Sequence, residues 1–598
     1  MVRLRIDDYD IALSPDFSME LNSENPFFSR TGDYTYEIEI NLNDAQNRIA
    51  FGHLERVTAQ RSKKSRQAYL YEGVRLICSG KEAILEKNND SVKIQIVSNN
   101  AELNYIAKNE DKLRSLDLGS IPTPTESYAV SIRDKYYPDT NYCFPMLMKT
   151  NTHPSKSNDN FINLISGSPT SSNYSMSSGT KLLPQPFLLY YVEKVVEAMG
   201  YSISYNCLLE EERWKHLVVI HGYDTLEYAK MLPDWTVSEF IDNCERFFNV
   251  IFLLDSSSKK ISIRNIKTYY DNKKTKEIDD SNVIRNFVRK FADTEGTDSN
   301  TLYINYKNIK YSNSSTEYFR YANLDDDLRK RCTKTSANFA TVLPTADNQK
   351  EYVIYHDDDW DFDYALMYIE EGGMDAQQQE YSQLDHFRPF IKDEDDSGYS
   401  ELKIVPAEIY ALSMITNGSQ GMINTVAIPE FYENEDKGMR ETIESGDSGD
   451  SAAGVMSAAF FFFSNMQLLT DGIISSNYGA KFKTDFTNKT YFGPWLVNSR
   501  LTLSRSINAV KTDSSRFGVS GISFELRGDS GKGSNDYNNN INVNTEEEFT
   551  FDIVSDDMID VMSFILIKGR KFYIRKIKYK VENCKLSCIA EITCYPVS

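Results

Sequence analysis

The sequence predicts a β-rich multidomain chain of the α+β class, with barrel- or sandwich-like β domains and one small inserted α+β unit. Three observations carry this prediction. At 598 residues the chain is too long for one hydrophobic core and corresponds to about three or four domains. Hydrophobic residues make up 40% and aromatics 12%, enough for several cores and too much for a disordered chain. Tyr (38) and Phe (32) dominate the aromatics, and such residues favour strands.

Residues 1–120 form the first β domain, expected to be barrel-like. Apolar and polar residues alternate in Tyr36-Glu37-Ile38-Glu39-Ile40 and in Val92-Lys93-Ile94-Gln95-Ile96, and turns such as Arg30-Thr31-Gly32-Asp33 separate the runs. A short helix is expected at Ala101–Ile106, where Leu103 and Ile106 share a face. Residues 121–180, with Pro122, Pro124 and the Ser-rich SGSPTSSNYSMSSGT, read as a loop or linker region.

Residues 181–290 change period and form the small α+β domain. Leu188, Tyr191, Val192, Val195 and Met199 follow helical spacing, with Gly200 as the stop. In the next helix Thr236 and Glu239 spell a capping box. Val237, Phe240, Ile241, Cys244, Phe247 and Phe248 build its apolar face, and Asn249 suits a left-handed exit. Val250–Leu254 and Lys260–Arg264 then read as a hairpin. Residues 291–450 read as a second β domain with long acidic loops. Residues 451–598 read as a C-terminal antiparallel domain ending in a meander: Phe564–Ile567, a turn at Lys568-Gly569-Arg570, Lys571–Ile574, Lys576–Glu582 and Cys588–Cys594.

The formal charge of −21 opposes non-specific binding to phosphate backbones. The basic run Arg61-Ser62-Lys63-Lys64-Ser65-Arg66 lacks interleaved aromatics and reads as a solvated loop, or as a contact with an acidic partner. The start MVRLRIDDYDIAL has acidic residues where a signal peptide needs an apolar run, so no Sec route is expected. Ala452–Phe463, the longest apolar stretch, is far short of the roughly 20 residues that span a bilayer. Among the eight cysteines no C-x-x-C occurs, which fits a reducing cytoplasm. Even offsets put Cys584, Cys588 and Cys594 on one strand face as core filling.

GDSGDSAAG (446–454) matches the loop of a trypsin-like nucleophile, but the partners fail. None of His53, His153, His216, His221, His356 and His386 lies in a matching motif, and Asp450 stands where that pattern has Gly. RGDSGKGS (527–534) has two residues between Gly528 and Gly531 where a phosphate loop needs four before its Gly-Lys pair, and Gly533 replaces the hydroxyl residue. Asp359, Asp361, Asp363 and Glu370 occupy positions 1, 3, 5 and 12 of an EF-hand-like calcium loop, with Tyr364 in place of its Gly. The same residues also fit a strand with Trp360, Phe362 and Tyr364 on one face. No residue is singled out for catalysis, cofactor binding or metal ligation, and no enzyme activity or cofactor is expected.

The segment NPFFSRTGDYTYEIEINLNDAQNRIAFGHLERV (25–57) resembles the opening of a family of Bacteroidetes phage and prophage tail proteins, through Asn25, Pro26, Phe27, Gly32, Asn47, Arg48, Gly52 and Arg56. It departs at INLND, where a proline-containing segment is expected. YYPDTNYCFP (136–145), PFLLYYVEKVVEAMGYSI (186–203) and LPDWTVSEFIDNCERFFNVIFLLDSSSKKISI (232–263) resemble the same family, and the last also resembles baseplate hub proteins of phage tails. LKIVPAEI (402–409) and FILIKGRKFYIRKIKYKV (564–581) add to the resemblance. It implies a hub-like fold and a structural role in the virion tail: a trimer around a lumen, closing the tail tube and holding spike or fibre proteins. Its partners would be the tube, distal tail, spike or fibre proteins, with genomic DNA only in transit and no membrane span. A contractile injection-system hub would share that fold. A glycan-binding surface protein is the rival from another class, although its lipoprotein signal is missing here. A depolymerase would need a β-helix repeat period, and none is found.

Overall fold

Val2, Leu4 and Ile6 alternate with Arg3 and Arg5, and the first strand buries the apolar set on one face. The computed structural model describes most of residues 1–291 and 547–597, with shorter stretches between them, chiefly 309–311, 332–335, 352–357, 362–366, 400–406, 408–415, 423–432, 454–461 and 543–544. The N-terminal part comprises β1 (Val2–Ile6), β2 (Tyr9–Ile11), β3 (Met19–Glu24), β4 (Asp33–Thr35), β5 (Ile38–Asn41), α1 (Ala45–Ala50), β6 (Arg66–Glu72), β7 (Arg75–Lys87), β8 (Ser91–Ser98) and α2 (Asn100–Ala107). The middle comprises α3 (Leu188–Ala198), β9 (Ser202–Asn206), β10 (Leu217–Val219), α4 (Val237–Phe248), β11 (Ile251–Asp255), β12 (Lys260–Arg264), α5 (Ile266–Asp271), β13 (Thr275–Ile278) and β14 (Val288–Phe291). Then come β15 (Ile404–Pro406) and β16 (Met456–Phe460), and last β17 (Glu547–Val554), β18 (Phe564–Ile567), β19 (Arg570–Glu582) and β20 (Lys585–Pro596).

Strands from both ends of the chain share one 14-stranded sheet, in the order β2-β1-β6-β7-β8-β4-β3-β19-β20-β17-β14, with β5 beside β8 and β13-β18 branching from β19. The seam is the antiparallel pair β3–β19, running from Met19 opposite Val581 to Glu24 opposite Lys576. Its inner face buries one core, drawn from Leu4, Ile38, Leu70 and Ile94 at the N-terminal end and Phe551, Phe572, Ile577 and Ile592 at the C-terminal end. Gly80 in β7 is required by this packing. A Cβ there would stand 2.0 Å from the Val97 carbonyl oxygen of β8.

The described strands form large antiparallel sheets with few helices, as the composition predicts, but no closed barrel, which corrects the expectation for residues 1–120. The sheet path is open, and its end strands β2 and β14 do not pair with each other. The outward backbone of β2 and the residue after it is instead occupied by α1. Asn47 accepts from the Ala12 amide (2.8 Å) and donates to the Ala12 and Asn41 carbonyls (2.9 Å each), and Gln46 donates to the Asp10 carbonyl (2.5 Å). Side-chain amides thus satisfy one carbonyl of this edge and the backbone just beyond it.

The C-terminal meander is present, with one difference. The two runs expected after Gly569 are a single strand, β19, bulged between Ile574 and Lys576. The turn before it places Lys568 (φ 50) and Gly569 (φ 76) in the left-handed region, as a two-residue hairpin requires. The cysteine expectation holds only in part. Cys594 is buried in β20 and Cys584 is buried in the turn before it, but Cys588 is exposed. A register shift between Tyr579 and Val581 separates Cys588 from the buried row of Ala590, Ile592 and Cys594.

Candidate functional site

The helix–hairpin unit that carries the resemblance is built as the sequence dictates. Thr236 Oγ1 accepts from the Glu239 amide (3.2 Å), and Glu239 Oε2 accepts from the Thr236 amide (2.7 Å), closing a reciprocal capping box at the start of α4. Val237, Phe240, Ile241, Cys244, Phe247 and Phe248 are all buried, and Asn249 leaves the helix at φ 53. β11 and β12 then pair antiparallel, from Ile251 opposite Arg264 to Asp255 opposite Lys260. The sequence left one strand unread: β9 adds parallel to β12, so the unit is a three-stranded sheet rather than a bare hairpin. α3 buries Leu188, Tyr191, Val192 and Val195 in the second core of the molecule, and Gly200 (φ 86) ends the helix segment.

Three junctions hold this unit in place. At the first, Asn100 Nδ2 donates to the Phe252 carbonyl (2.9 Å) and Asn100 Oδ1 accepts from the Leu254 amide (3.1 Å). One side-chain amide therefore acts as a strand neighbour to the edge of β11. The Asn99 amide donates to Ser256 Oγ (2.6 Å) in the hairpin turn, and Tyr201 donates to the buried Glu102 carboxyl (2.7 Å). At the second, Asn25, fully buried, reaches three distant parts of the chain. Its Nδ2 lies within hydrogen-bonding distance of the Tyr270 hydroxyl (2.7 Å) and of the Val561 (3.1 Å) and Ile574 (2.7 Å) carbonyls. Phe27 packs on Tyr269 and Tyr270, and Phe28 on Tyr573 and Tyr595. The Asn-Pro-Phe-Phe string is thus the joint between the N-terminal strands, α5 and the C-terminal meander.

The third junction brings in the middle of the chain. β10 pairs antiparallel with β16, which lies parallel to β15, and the Trp235 indole donates to the Gly454 carbonyl. Leu402, Ile404, Val405, Met456 and Ala458 enter the same core as α3 and α4. The long stretch between residues 406 and 456 therefore leaves and returns on adjacent strands.

Two histidines line this core. His221 is fully buried. Its Nε2 lies 2.9 Å from the Pro184 carbonyl, which can only accept, so Nε2 carries the proton of a neutral ring. Burial holds its pKa down to about 4 against that hydrogen bond. His216 is also held down to about 4, by burial first, with the Phe461 carbonyl and Glu212 pulling upward. Its ring lies 4.2 Å from that of Tyr136. Burial pushes the Glu102 carboxyl above its ordinary value. Within the large sheet Arg66 grips the buried Glu82 through Nε (2.7 Å) and lies over the Phe51 ring at 4.8 Å.

These groups anchor backbone and pack cores, and none forms a nucleophile with a positioned base. Among the described residues no group of three or more His, Cys, Asp or Glu is placed to hold a metal ion, and no helix is long and apolar enough to cross a membrane. Asp363 lies in the strand Phe362–Leu366, opposite His356, while Asp359, Asp361 and Glu370 lie outside the described residues. So do Ser448, the RGDSGKGS string, Gly32 and residues 61–65 of the basic run. Asn100 and Glu102 escaped the sequence reading because their partners lie some 100 to 150 residues away, with no local spacing to betray them.

No family model matches this chain, and no curated protein matches it. Among solved structures it is similar to the 43 kDa tail protein of prophage MuSo2 from Shewanella oneidensis, at 7% identity over 99% of this chain and 96% of that one, with a TM-score of 0.30. It is also similar to a tail protein from Neisseria meningitidis MC58, at 5% identity over 99% and 95% of the two chains, with a TM-score of 0.27. Likeness at these scores decides neither fold nor role.

Proposed function

We propose that this chain is a structural component of a phage tail: a baseplate or tail hub, not an enzyme, that closes the tail tube and anchors spike or fibre proteins. The observation that carries this reading is the capped helix with its bulky buried face, followed by a hairpin and set among β sheets. That arrangement is the one the sequence resemblance to tail hubs leads one to expect. The buried polar groups act as joints, which suits a rigid building block.

In this reading the chain self-associates as a trimer and meets the tube, distal tail and spike or fibre proteins. Genomic DNA passes its lumen without binding, because part of the −21 charge faces that lumen. Along the sequence the chain divides at 120, 180, 290 and 450 into stretches rather than separate cores, since the first and last share one sheet. It assembles in the host cytoplasm and works in the virion tail.

Light scattering of the purified chain across a concentration series tests the proposal. A stable species near three times 68.6 kDa, with a central channel on imaging, supports the hub. A monomer at every concentration, or a channel lined by neutral or basic residues, counts against it.

A further inference from the structure

The two ends of the large sheet differ. At one end α1 meets the Asp10 carbonyl of β2 and the backbone of Ala12 just beyond the strand. At the other, β14 pairs with β17 on one side and has no strand on its other side among the described residues. All four of its residues are exposed. Between Ile284 and Phe291 the chain shows four large apolar side chains to solvent: Ile284 (52% exposed), Phe287 (47%), Val288 (44%) and Phe291 (62%). Phe287 continues the core outward, lying 5.4 Å from Phe549 and 6.0 Å from Phe551, both buried. An open, apolar edge strand is a template for pairing with another chain.

The charge around this edge says which chain. Arg289 and Arg570 pair with Glu547, and Lys290 and Arg575 with Glu548, four cations on two carboxylates and so a basic patch on a protein of net charge −21. A second β14 would set Arg289 and Lys290 against themselves, so a symmetric edge-to-edge pair is disfavoured. The complement lies at the far end of the same sheet. The β1–β2 hairpin carries Asp8, with a side chain 96% exposed, then the half-exposed Tyr9 and the exposed Asp10. The Gln46 contact to the Asp10 carbonyl comes from a surface side chain that an incoming strand can displace.

We propose that copies of this chain join head to tail, the β14 edge of one receiving the β1–β2 hairpin of the next, with Phe291 against Tyr9 and the two cations against Asp8 and Asp10. A contact between unlike surfaces closes into a ring when its rotation allows. This rests on the self-association in the proposed function and names the surface that makes it.

The test is a charge exchange in the full chain, read by sedimentation velocity. Arg289→Glu with Lys290→Glu, and separately Asp8→Lys with Asp10→Lys, should each weaken association by about tenfold or more. The chain carrying all four changes should return to within about threefold of the wild type, because opposite charges face each other again. Misfolding cannot produce that recovery. Wild-type association should also weaken as salt rises from about 50 to 500 mM. Association that ignores either exchange, or that is not restored by the four changes together, overturns the inference and leaves the tail reading standing. A chain monomeric at all concentrations overturns both this inference and the self-association it rests on.

Discussion

Asn25 shows how much one side chain can hold. Replacing it with Ala leaves the Ile574 and Val561 carbonyls and the Phe27 amide without their buried partner. The expected cost is about 2–4 kcal/mol, read as a lower urea midpoint at unchanged slope. The histidines set the pH dependence. In the folded chain His216 and His221 have pKa values of about 4, below the 6.5 of the unfolded chain, so between those values the unfolded state binds more protons. Their contribution is fully present above pH 6.5 and is lost as the pH falls toward 4, on the order of 3 kcal/mol each. Denaturant unfolding at stepped pH checks this, and a flat profile over that window would refute it. Glu102 acts in the opposite sense. Its raised pKa makes its contribution greatest at low pH and lost as pH rises, so Glu102→Gln should remove that loss.

At the scale of elements, α4 rests on its capping box. Thr236→Ala removes the acceptor for the Glu239 amide, with an expected loss of about 1 kcal/mol in thermal or urea unfolding. The β7–β8 pair should be less forgiving. Gly80→Ala drives a methyl into the Val97 carbonyl, a backbone atom that cannot turn aside, so a loss of about 1–3 kcal/mol is expected. Hydrogen exchange should show the damage in β6, β7 and β8 and spare α4. α4 was legible in the sequence because its cap, stripe and exit are all local signals. β9 was not, because its parallel partner β12 lies across a helix and a crossover, and parallel pairing leaves no local turn signal.

For the whole molecule, the seam between β3 and β19 ties the first residues to the last. Deleting residues 564–598 should strip β3 of its neighbour and expose its edge. The remaining chain should then melt at a lower temperature and aggregate through that edge, as scattering during a thermal scan would report. A deletion variant with the wild-type melting temperature would mean that the seam contributes little.

The sequence by itself determined the strand-rich class, the capped helix and hairpin, and the C-terminal meander. These rest on periodicity, capping and turn chemistry, which act over a few residues. Asn25, Asn47 and Gly52 were marked only by the resemblance, which gives no physical reason for them. Only the tertiary structure decided that the two ends of the chain share a sheet, and that this sheet stays open rather than closing into a barrel. Asn47 matters because its amide occupies the backbone of Ala12, and Asn25 because it meets carbonyls from residues 561 and 574. Such partners are chosen by which surfaces can bury together once the strands exist. That choice is made through space, between residues hundreds of positions apart, and no local pattern in the chain encodes it.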